Sequence, residues 1–323
     1  MREAVAALRR ATRVAVVSHR DPDGDTVGAG LGLGLALEAA GKRVSFHCVD
    51  PIPEDLRFLE GSARYERGAP TEDTEVVVTV DLGERARANL AFEPRLLINV
   101  DHHASNTMFG DINVVDPTSA ASGEMVARIV DALGVSWTPA MATAVLTALM
   151  TDTGSFQFPN TDARVLELAA RMRTAGADVS SITYNVFRNR RFEATRLWGA
   201  AFTRIERDLD GQLVWTWIDR ADLERSGARE EHVAGLVEQV ARTTDNRVAF
   251  LFNGIKPGEV RISCRTSPFD PCVDAAALMG TFGGGGHARA AGAIVPGTLE
   301  SVKARVLDEA RGAIRAARAA AVA

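Results

Sequence analysis

The stretch Leu96-Leu97-Ile98-Asn99-Val100-Asp101-His102-His103 decides the fold. A short apolar run of this kind reads as a strand buried on both faces of a parallel sheet. It ends in an acid and two imidazoles, which are poor core material and good metal-site material. Three other stretches in the same half of the chain repeat the arrangement. Val14-Ala15-Val16-Val17 runs into Ser18-His19-Arg20-Asp21-Pro22-Asp23-Gly24-Asp25, and Val76-Val77-Val78-Thr79-Val80 runs into Asp81. The apolar stretch from Met141 to Met150 runs into Thr151-Asp152-Thr153-Gly154. In an open parallel sheet with helices between its strands, ligands bind outside the carboxyl ends of the strands. The four polar ends are therefore expected to converge on one crevice.

Outward from these ends, apolar strands alternate with helical periodicity. Helices are expected at 2–11, Thr26–Ala40, 119–133, 138–151 and 161–175, the last capped by Thr161 and stopped by Gly176. Strands are expected at 14–17, 43–49, 75–80 and 95–100, with a loop and short helix reaching Leu59. This alternation gives an α/β, doubly wound domain with flanking helices. Gly28, Gly30, Gly32 and Gly34 lie inside a helix, where glycine is costly. Their spacing is not that of a dinucleotide fingerprint, and acids occupy the preceding turn. Close packing against the sheet is the expected use.

Residues 177–200 read as a connector running into a helix, with Arg188, Arg190 and Arg191 as a solvated face. The pattern then changes. Gln212–Ile218 places Leu213, Trp215 and Trp217 on one face and reads as an antiparallel strand with core tryptophans. Helix 229–241, strands 247–253 and 259–264 around Lys256-Pro257-Gly258, and a short helix at 274–281 follow. The loop Gly283-Gly284-Gly285-Gly286-His287, a strand near 290–295 and an Ala/Arg-rich helix close the chain. The expected division is a first domain at 1–189, a linker helix at 190–205 and a smaller α+β domain at 206–323.

A length of 323 residues fits two domains. With 46% hydrophobic and 24% charged residues the composition is that of a soluble globular protein. A net charge of −5 argues against a basic footprint for long nucleic acid, though not against a short nucleotide held by metal ions and a few arginines. Cys48, Cys264 and Cys272 are too few and scattered for a disulfide framework, which points to a reducing cytoplasm. The N-terminus opens a charged amphipathic helix, not an apolar leader. No apolar stretch approaches the ~20 residues of a membrane span.

Asp23, Asp25, Asp81, Asp101 and Asp152 in one crevice would repel one another. At ~4 Å and an effective dielectric of ~20, each like-charge pair costs roughly 4 kcal/mol. Cations must neutralise such a cluster. Imidazole and carboxylate without thiolate suit Mn2+, with Mg2+ or Co2+ as alternatives. There are more ligands than one ion can use, so two are expected. Paired ions roughly 3.5–4 Å apart serve phosphoryl hydrolysis by holding a hydroxide and clamping the phosphate.

His19-x-Asp21-Pro22-Asp23-Gly24-Asp25, Asp81, Asp101-His102-His103 and Asp152-Thr153-Gly154 resemble the four motifs of the DHH phosphoesterases, in order and rough spacing. Ser263-Cys264-Arg265-Thr266-Ser267 followed by Gly284-Gly285-Gly286-His287-Ala288-Arg289-Ala290-Ala291-Gly292 resembles the substrate-binding DHH-associated domain. Length and layout are similar to the NrnA subfamily of bifunctional oligoribonucleases and 3′-phosphoadenosine-5′-phosphate (pAp) phosphatases.

The resemblance implies His19, Asp23 and Asp81 as ligands of a first metal. It implies Asp25, Asp81, His102 and Asp152 for a second, with Asp81 bridging. It places His103 at the scissile phosphate and Asp101 behind the histidine pair as its orienting acid. Arg265, Gly284, Gly285, Gly286 and His287 are expected to grip the nucleotide's far phosphate. The implied enzyme is a cytoplasmic, Mn2+-dependent hydrolase of short RNA oligonucleotides and pAp, acting as a homodimer with no membrane partner. A cyclic di-AMP or linear dinucleotide phosphodiesterase is the alternative, and a sensor holding pAp without turnover is the contrasting class. Cys264 stands where relatives often carry a large aliphatic or aromatic residue, but none of the implied ligand positions is substituted, which argues for turnover.

Outside the motifs, His47 and His232 are read as structural and Asp21 as a turn former before Pro22. Ser119, Ser122 and Glu124 fit both the N-cap region of a helix and a helix start able to bind phosphate.

Overall fold

Val76–Val80 and Leu97–Asp101 are buried at every position, and Arg13–Val17 at all but its first. Uninterrupted apolar runs end up this way when helices cover both faces of a parallel sheet. The structure, a computed structural model, describes residues 1–267 and 273–322, so Cys272 lies outside the described residues. Contacts divide the chain into two units, Met1–Asn189 and Arg190–Ala323.

In the first unit the strands are β1 (Arg13–Val17), β2 (Arg43–His47), β3 (Tyr65–Glu66), β4 (Val76–Val80), β5 (Leu97–Asp101) and β6 (Ile112–Val115). The helices are α1 (Arg2–Arg10), α2 (Gly24–Ala39), α3 (Ser122–Leu133), α4 (Pro139–Asp152), α5 (Ala163–Thr174) and α6 (Val179–Ile182). All six strands are parallel, in the order β3-β2-β1-β4-β5-β6. The chain reverses its direction of winding between β1 and β4, the switch point at which such sheets open a binding crevice. The sequence reading had no place for β3, two residues long, or for β6, whose polar Asn113 interrupts an already short run. The N-cap of α5 is Asp162, not Thr161, because the Asp162 carboxylate accepts the Val165 N–H.

Helix α2 is buried on nearly all sides. Its glycines serve two neighbours. A Cβ at Gly34 would lie 2.2 Å from the Phe46 ring of β2, as packing against the sheet requires. A Cβ at Gly28 would lie 2.4 Å from the Ala144 carbonyl oxygen, and one at Gly32 would lie 2.6 Å from Val145 Cγ2. The sheet therefore accounts for only part of the glycine string, and close approach to α4 accounts for the rest.

The second unit contains α7 (Phe192–Phe202), β7 (Glu206–Asp208), β8 (Leu213–Asp219), α8 (Arg220–Ser226), α9 (Leu236–Val240), β9 (Val248–Gly254) and β10 (Glu259–Thr266). It ends with α10 (Ala275–Gly280), β11 (Gly285–His287), β12 (Ala290–Pro296) and α11 (Leu299–Val322). The sheet order is β11-β12-β10-β9-β8-β7. The expected antiparallel strand, β8, is antiparallel to β7 but parallel to β9. The crossover through α8 and α9 explains this, since a parallel neighbour needs a long connection.

The helix expected at 229–241 is broken into a 3-10 turn at Glu230–Val233 and α9 by Gly235, at φ 82°. Trp215 is buried and Trp217 half-buried in the unit's core, with Lys303 Nζ 4.0 Å from the Trp217 ring centroid. Leu197, Trp198 and Ala201 of α7 pack with Ile218 and Leu236. Arg190 lies with its guanidinium 3.3 Å from the Trp198 ring centroid. Among the described residues no helix is long and apolar enough to cross a membrane.

Candidate metal centre

The carboxyl ends of β1, β4 and β5 and the last residue of α4 bring the predicted residues of the first unit together. After β1, His19 is buried, and its Nδ1 pairs with the Arg20 carbonyl at 2.7 Å. That bond leaves Nε2 facing the crevice, 3.3 Å from Asp81 Oδ2 and 3.7 Å from Asp23 Oδ1. Asp23 also caps α2, its Oδ1 accepting the N–H groups of Asp25 and Thr26 at 3.1 Å each. One residue thus starts the helix and lines the crevice.

After β4, Asp81 is 3% exposed and sits at φ 66°, a left-handed conformation rare outside glycine and most tolerable for Asp and Asn. Its backbone N–H is fixed on the Val100 carbonyl at 2.9 Å. After β5, His102 Nδ1 lies 3.3 Å from the Ser119 carbonyl. Its Nε2 faces three acids: Asp152 at 3.1 Å, Asp81 at 3.5 Å and Asp25 at 3.8 Å. His103 Nδ1 lies 2.7 Å from Asp101 Oδ1, and the other Asp101 oxygen accepts from Asn106 Nδ2 at 2.5 Å.

Three groups have ligand atoms mutually within 4.8 Å: His19, Asp23 and Asp81; Asp25, His102 and Asp152; and Asp81, His102 and His103. Asp81 presents Oδ2 toward His19 and Oδ1 toward His102. The donor set is nitrogen and oxygen without sulfur, and His19 Nε2 is buried with no hydrogen-bond partner in its own chain. Both features fit divalent cations of the Mn2+ or Mg2+ class better than soft ions.

Protonation reflects the same crowding. Burial favours a neutral His19, but Asp23 and Asp81 outweigh it and push its pKa up to about 10. His102 rises to about 10 against burial through Asp152, Asp25 and Asp81. Burial and neighbouring acids push Asp152 up to about 6. Burial and the charges of Asp81 and Asp152 push Asp25 upward. Burial opposes ionisation of Asp101 too, but hydrogen bonds from His103 and Asn106 hold that carboxyl below the usual range.

Two sets of contacts lie outside the sequence reading. The N–H groups of Ser122 and Gly123, at the start of α3, donate to the two oxygens of Asp25 at 2.6 and 3.0 Å. The Ser122 hydroxyl donates to Asp81 Oδ1 at 3.0 Å. The start of α3 thus holds a carboxylate of its own chain. Its other candidates have local partners: the Ser119 carbonyl faces His102, and Glu124 pairs with Arg128 and accepts the Ala120 N–H. The second set belongs to Asn106, whose side-chain amide donates toward Asp101, Asn99 and the Leu82 carbonyl. The Ser119–Glu124 segment had suggested a helix start near the crevice. Nothing in the sequence distinguished Asn106.

Of the remaining predicted residues, Arg265 lies on β10 and donates from Nε and Nη2 to Glu238 Oε1 at 3.1 and 2.6 Å. Gly285, Gly286 and His287 form the edge strand β11 instead of an open loop. A Cβ at Gly284 would meet the Gly292 carbonyl oxygen at 2.2 Å, and one at Gly286, φ 144°, the Ala290 carbonyl oxygen at 2.5 Å. Two of these glycines therefore allow close backbone approach to β12, beside any use toward phosphate. His47 bonds through both ring nitrogens, to Gly68 and Ser45, and the Asp21 N–H is tied to Asp50. His232 Nδ1 accepts the Arg229 N–H.

Residues 13–151 match the DHH family, N-terminal domain, and residues 211–316 match the DHHA1 domain. The chain is 35% identical over 303 residues to the bifunctional oligoribonuclease and PAP phosphatase NrnA of Thermus thermophilus, covering 92% of this chain and 88% of that one. It is 24% identical over 304 residues to the protein of the same name from Mycoplasma genitalium, covering 91% and 92%. Among solved structures, an exopolyphosphatase-related protein from Bacteroides fragilis matches with a TM-score of 0.86 at 21% identity, over 97% of this chain and 95% of that one, a likeness of fold. The acid and histidine ends converging at the switch point and the similarity along nearly the whole length lead to one assignment: this chain belongs to the DHH family, its DHH domain followed by a DHHA1 domain.

Proposed function

We propose that this chain is a two-metal phosphoesterase that hydrolyses short oligoribonucleotides to mononucleotides and pAp to AMP. The observation that carries the reading is the division of Asp81, one oxygen toward the His19–Asp23 group and the other toward His102. A carboxylate so placed suits a bridge between two cations. His19, Asp23 and Asp81 would hold one ion, and Asp25, Asp81, His102 and Asp152 the other, with Mn2+ the best match to the donors. When bound, such a pair supplies a hydroxide at neutral pH and a clamp for the phosphate.

The chain's own residues do the rest. Asp81 would offset part of the charge of the two cations. The Arg20 and Ser119 carbonyls fix the ring orientations of His19 and His102 so that Nε2 of each faces the crevice. Asp101, itself held by Asn106, orients the His103 ring that would face the scissile phosphate. Arg265, the Gly284–Gly286 run and His287 would bind the substrate's distal phosphate. The NrnA relatives of Thermus thermophilus and Mycoplasma genitalium support the choice of substrates.

The test is phosphate release from pAp and mononucleotide release from an RNA dimer, with and without chelation. Hydrolysis should stop in excess EDTA and return with Mn2+ more fully than with Mg2+ or Zn2+. Full turnover in EDTA would remove the two-metal reading, and binding of pAp without turnover in Mn2+ would make the protein a sensor.

A further inference from the structure

We infer that Ser122 is a positioning residue that builds the second of the two cation sites and ties it to the bridge. The inference rests on the two-metal reading above. Its basis is one residue engaging two acids of the centre at once. The Ser122 N–H meets Asp25 Oδ2 at 2.6 Å, while its hydroxyl meets Asp81 Oδ1 at 3.0 Å. Ser122, Asp25 and Asp81 are all buried.

The contacts are lopsided between the two groups. Asp25 belongs to the group with His102 and Asp152, and Asp81 Oδ1 is the oxygen turned toward His102. The oxygen turned toward His19, Asp81 Oδ2, takes no bond from Ser122. Asp23, in the His19 group, is instead held by the N-terminus of α2. Ser122 thus serves one side of the centre, and α2 serves the other.

The hydroxyl does something a backbone N–H cannot. It occupies one lone-pair direction of Asp81 Oδ1 and fixes the rotation of the carboxylate, so that each oxygen keeps its own side. The left-handed backbone at Asp81, φ 66°, sets where the side chain starts, and Ser122 sets where it ends. Removing the hydroxyl leaves the Asp25 bonds from the two backbone N–H groups intact but frees Asp81 to rotate. The second cation should then lose a well-placed ligand oxygen, while the first can recapture either oxygen.

The experiment is calorimetric titration of Mn2+ into the chelator-stripped full chain, comparing wild type with Ser122→Ala and Ser122→Thr. Loss of an orienting hydrogen bond behind a metal ligand costs roughly 10- to 100-fold in affinity. Wild type should bind two ions. Ser122→Ala should keep one at wild-type affinity and weaken the other by roughly that factor. Ser122→Thr, which keeps the hydroxyl, should restore the weaker site at least in part. Unchanged affinities in Ser122→Ala would overturn the inference, as would equal weakening of both sites or a Thr variant no better than Ala. Melting of the stripped variants identifies a folding defect, and a fold lost in Ala but kept in Thr would show a structural role and also overturn it. A wild-type protein that binds no Mn2+ would instead overturn the two-metal reading itself.

Discussion

His103 Nδ1 lies 2.7 Å from Oδ1 of Asp101, so the imidazole nearest the proposed substrate phosphate is held by a buried acid. The arrangement fixes the tautomer, with the proton on Nδ1 shared toward Asp101 and Nε2 directed away. Asn106 closes the other side of Asp101, so the carboxylate has little freedom to turn. Asp101→Asn keeps the shape and removes the charge. Turnover of pAp should fall roughly 10- to 100-fold, as for other orienting acids behind functional imidazoles. The melting temperature should move by no more than about 4 °C. Unaltered turnover would show that the Asp101–His103 contact is structural only.

Asp81 offers a cleaner test of the bridge. Asn adopts the left-handed backbone as readily as Asp, so Asp81→Asn does not disturb φ 66°. The amide oxygen can still accept from Ser122. What would be lost is the charge of the proposed bridge, and turnover should then drop by several orders of magnitude on every substrate. In the stripped protein the loss of repulsion from Asp25 and Asp152 opposes the loss of attraction to His19 and His102, leaving the fold near wild-type stability. Near-normal kcat in Mn2+ would mean that the ions, if paired, are bridged by another group.

Proton competition gives the centre a pH signature. His19 and His102 hold their protons up to a pKa of about 10, against an ordinary 6.5. A raised folded-state pKa contributes stability that is complete below the unfolded value and fades as pH climbs toward the folded one. Asp152, raised to about 6, completes its loss by then, and Asp101, held low, loses its contribution only in acid. Asp25, also pushed upward, acts in the same direction as the two histidines, so between pH 6.5 and 9 the chelated protein should melt at lower temperature as pH rises. Cations must displace those same protons, so Mn2+ affinity should rise over the same range. Melting curves at pH 6.5, 8 and 9, with EDTA and with Mn2+, should show the gap between the two widening. A gap that narrows toward pH 9 would contradict the proposed ligands.

Much of the centre was legible in the sequence for a physical reason. Asp81 and the Asp101-His102-His103 run sit at the ends of apolar strands, His19 lies two residues past another, and Asp152 ends an apolar helix. In a parallel sheet the strand ends must share one edge. The proposed pairing of these residues with two ions comes from the resemblance to the DHH phosphoesterases. What was not legible depends on contacts between distant segments. Ser122 meets Asp25 across 97 positions of chain. The string of glycines in α2 signalled close packing but not its partner, and Gly28 and Gly32 turned out to face α4. Strand β8 shows the same limit. Its alternation of Leu213, Trp215 and Trp217 identified a half-buried strand, but its direction relative to β9 was set by the crossover through α8 and α9. Gly235, by contrast, is a breaker visible inside the helical pattern of 229–241, and it is where the helix divides.

The last prediction concerns the second unit, where Arg265 is already paired. Nε and Nη2 donate to Glu238 Oε1, and Nη1 donates to the Cys264 carbonyl. A guanidinium carries five N–H groups, so one on Nη1 and one on Nη2 remain for a phosphate. Glu238 thus fixes the fork without using all of it. A charge-assisted hydrogen bond to phosphate is worth roughly 1.5–3 kcal/mol. Arg265→Ala should therefore lower kcat/KM on pAp or an RNA dimer by about ten- to a hundred-fold. His287→Ala should behave likewise. An artificial phosphodiester with neither a second phosphate nor a nucleobase cannot use these groups, and its hydrolysis should change little. Glu238→Gln keeps an acceptor beside the fork but weakens it, so it should raise KM for pAp with a smaller effect on kcat. Metal-ligand variants should lose both substrates alike, because both need the same hydroxide. The decisive comparison is kcat/KM of Arg265→Ala on pAp and on the minimal ester. Equal losses on the two would assign Arg265 to the fold of its own sheet, and the separation of chemistry from substrate grip would fail.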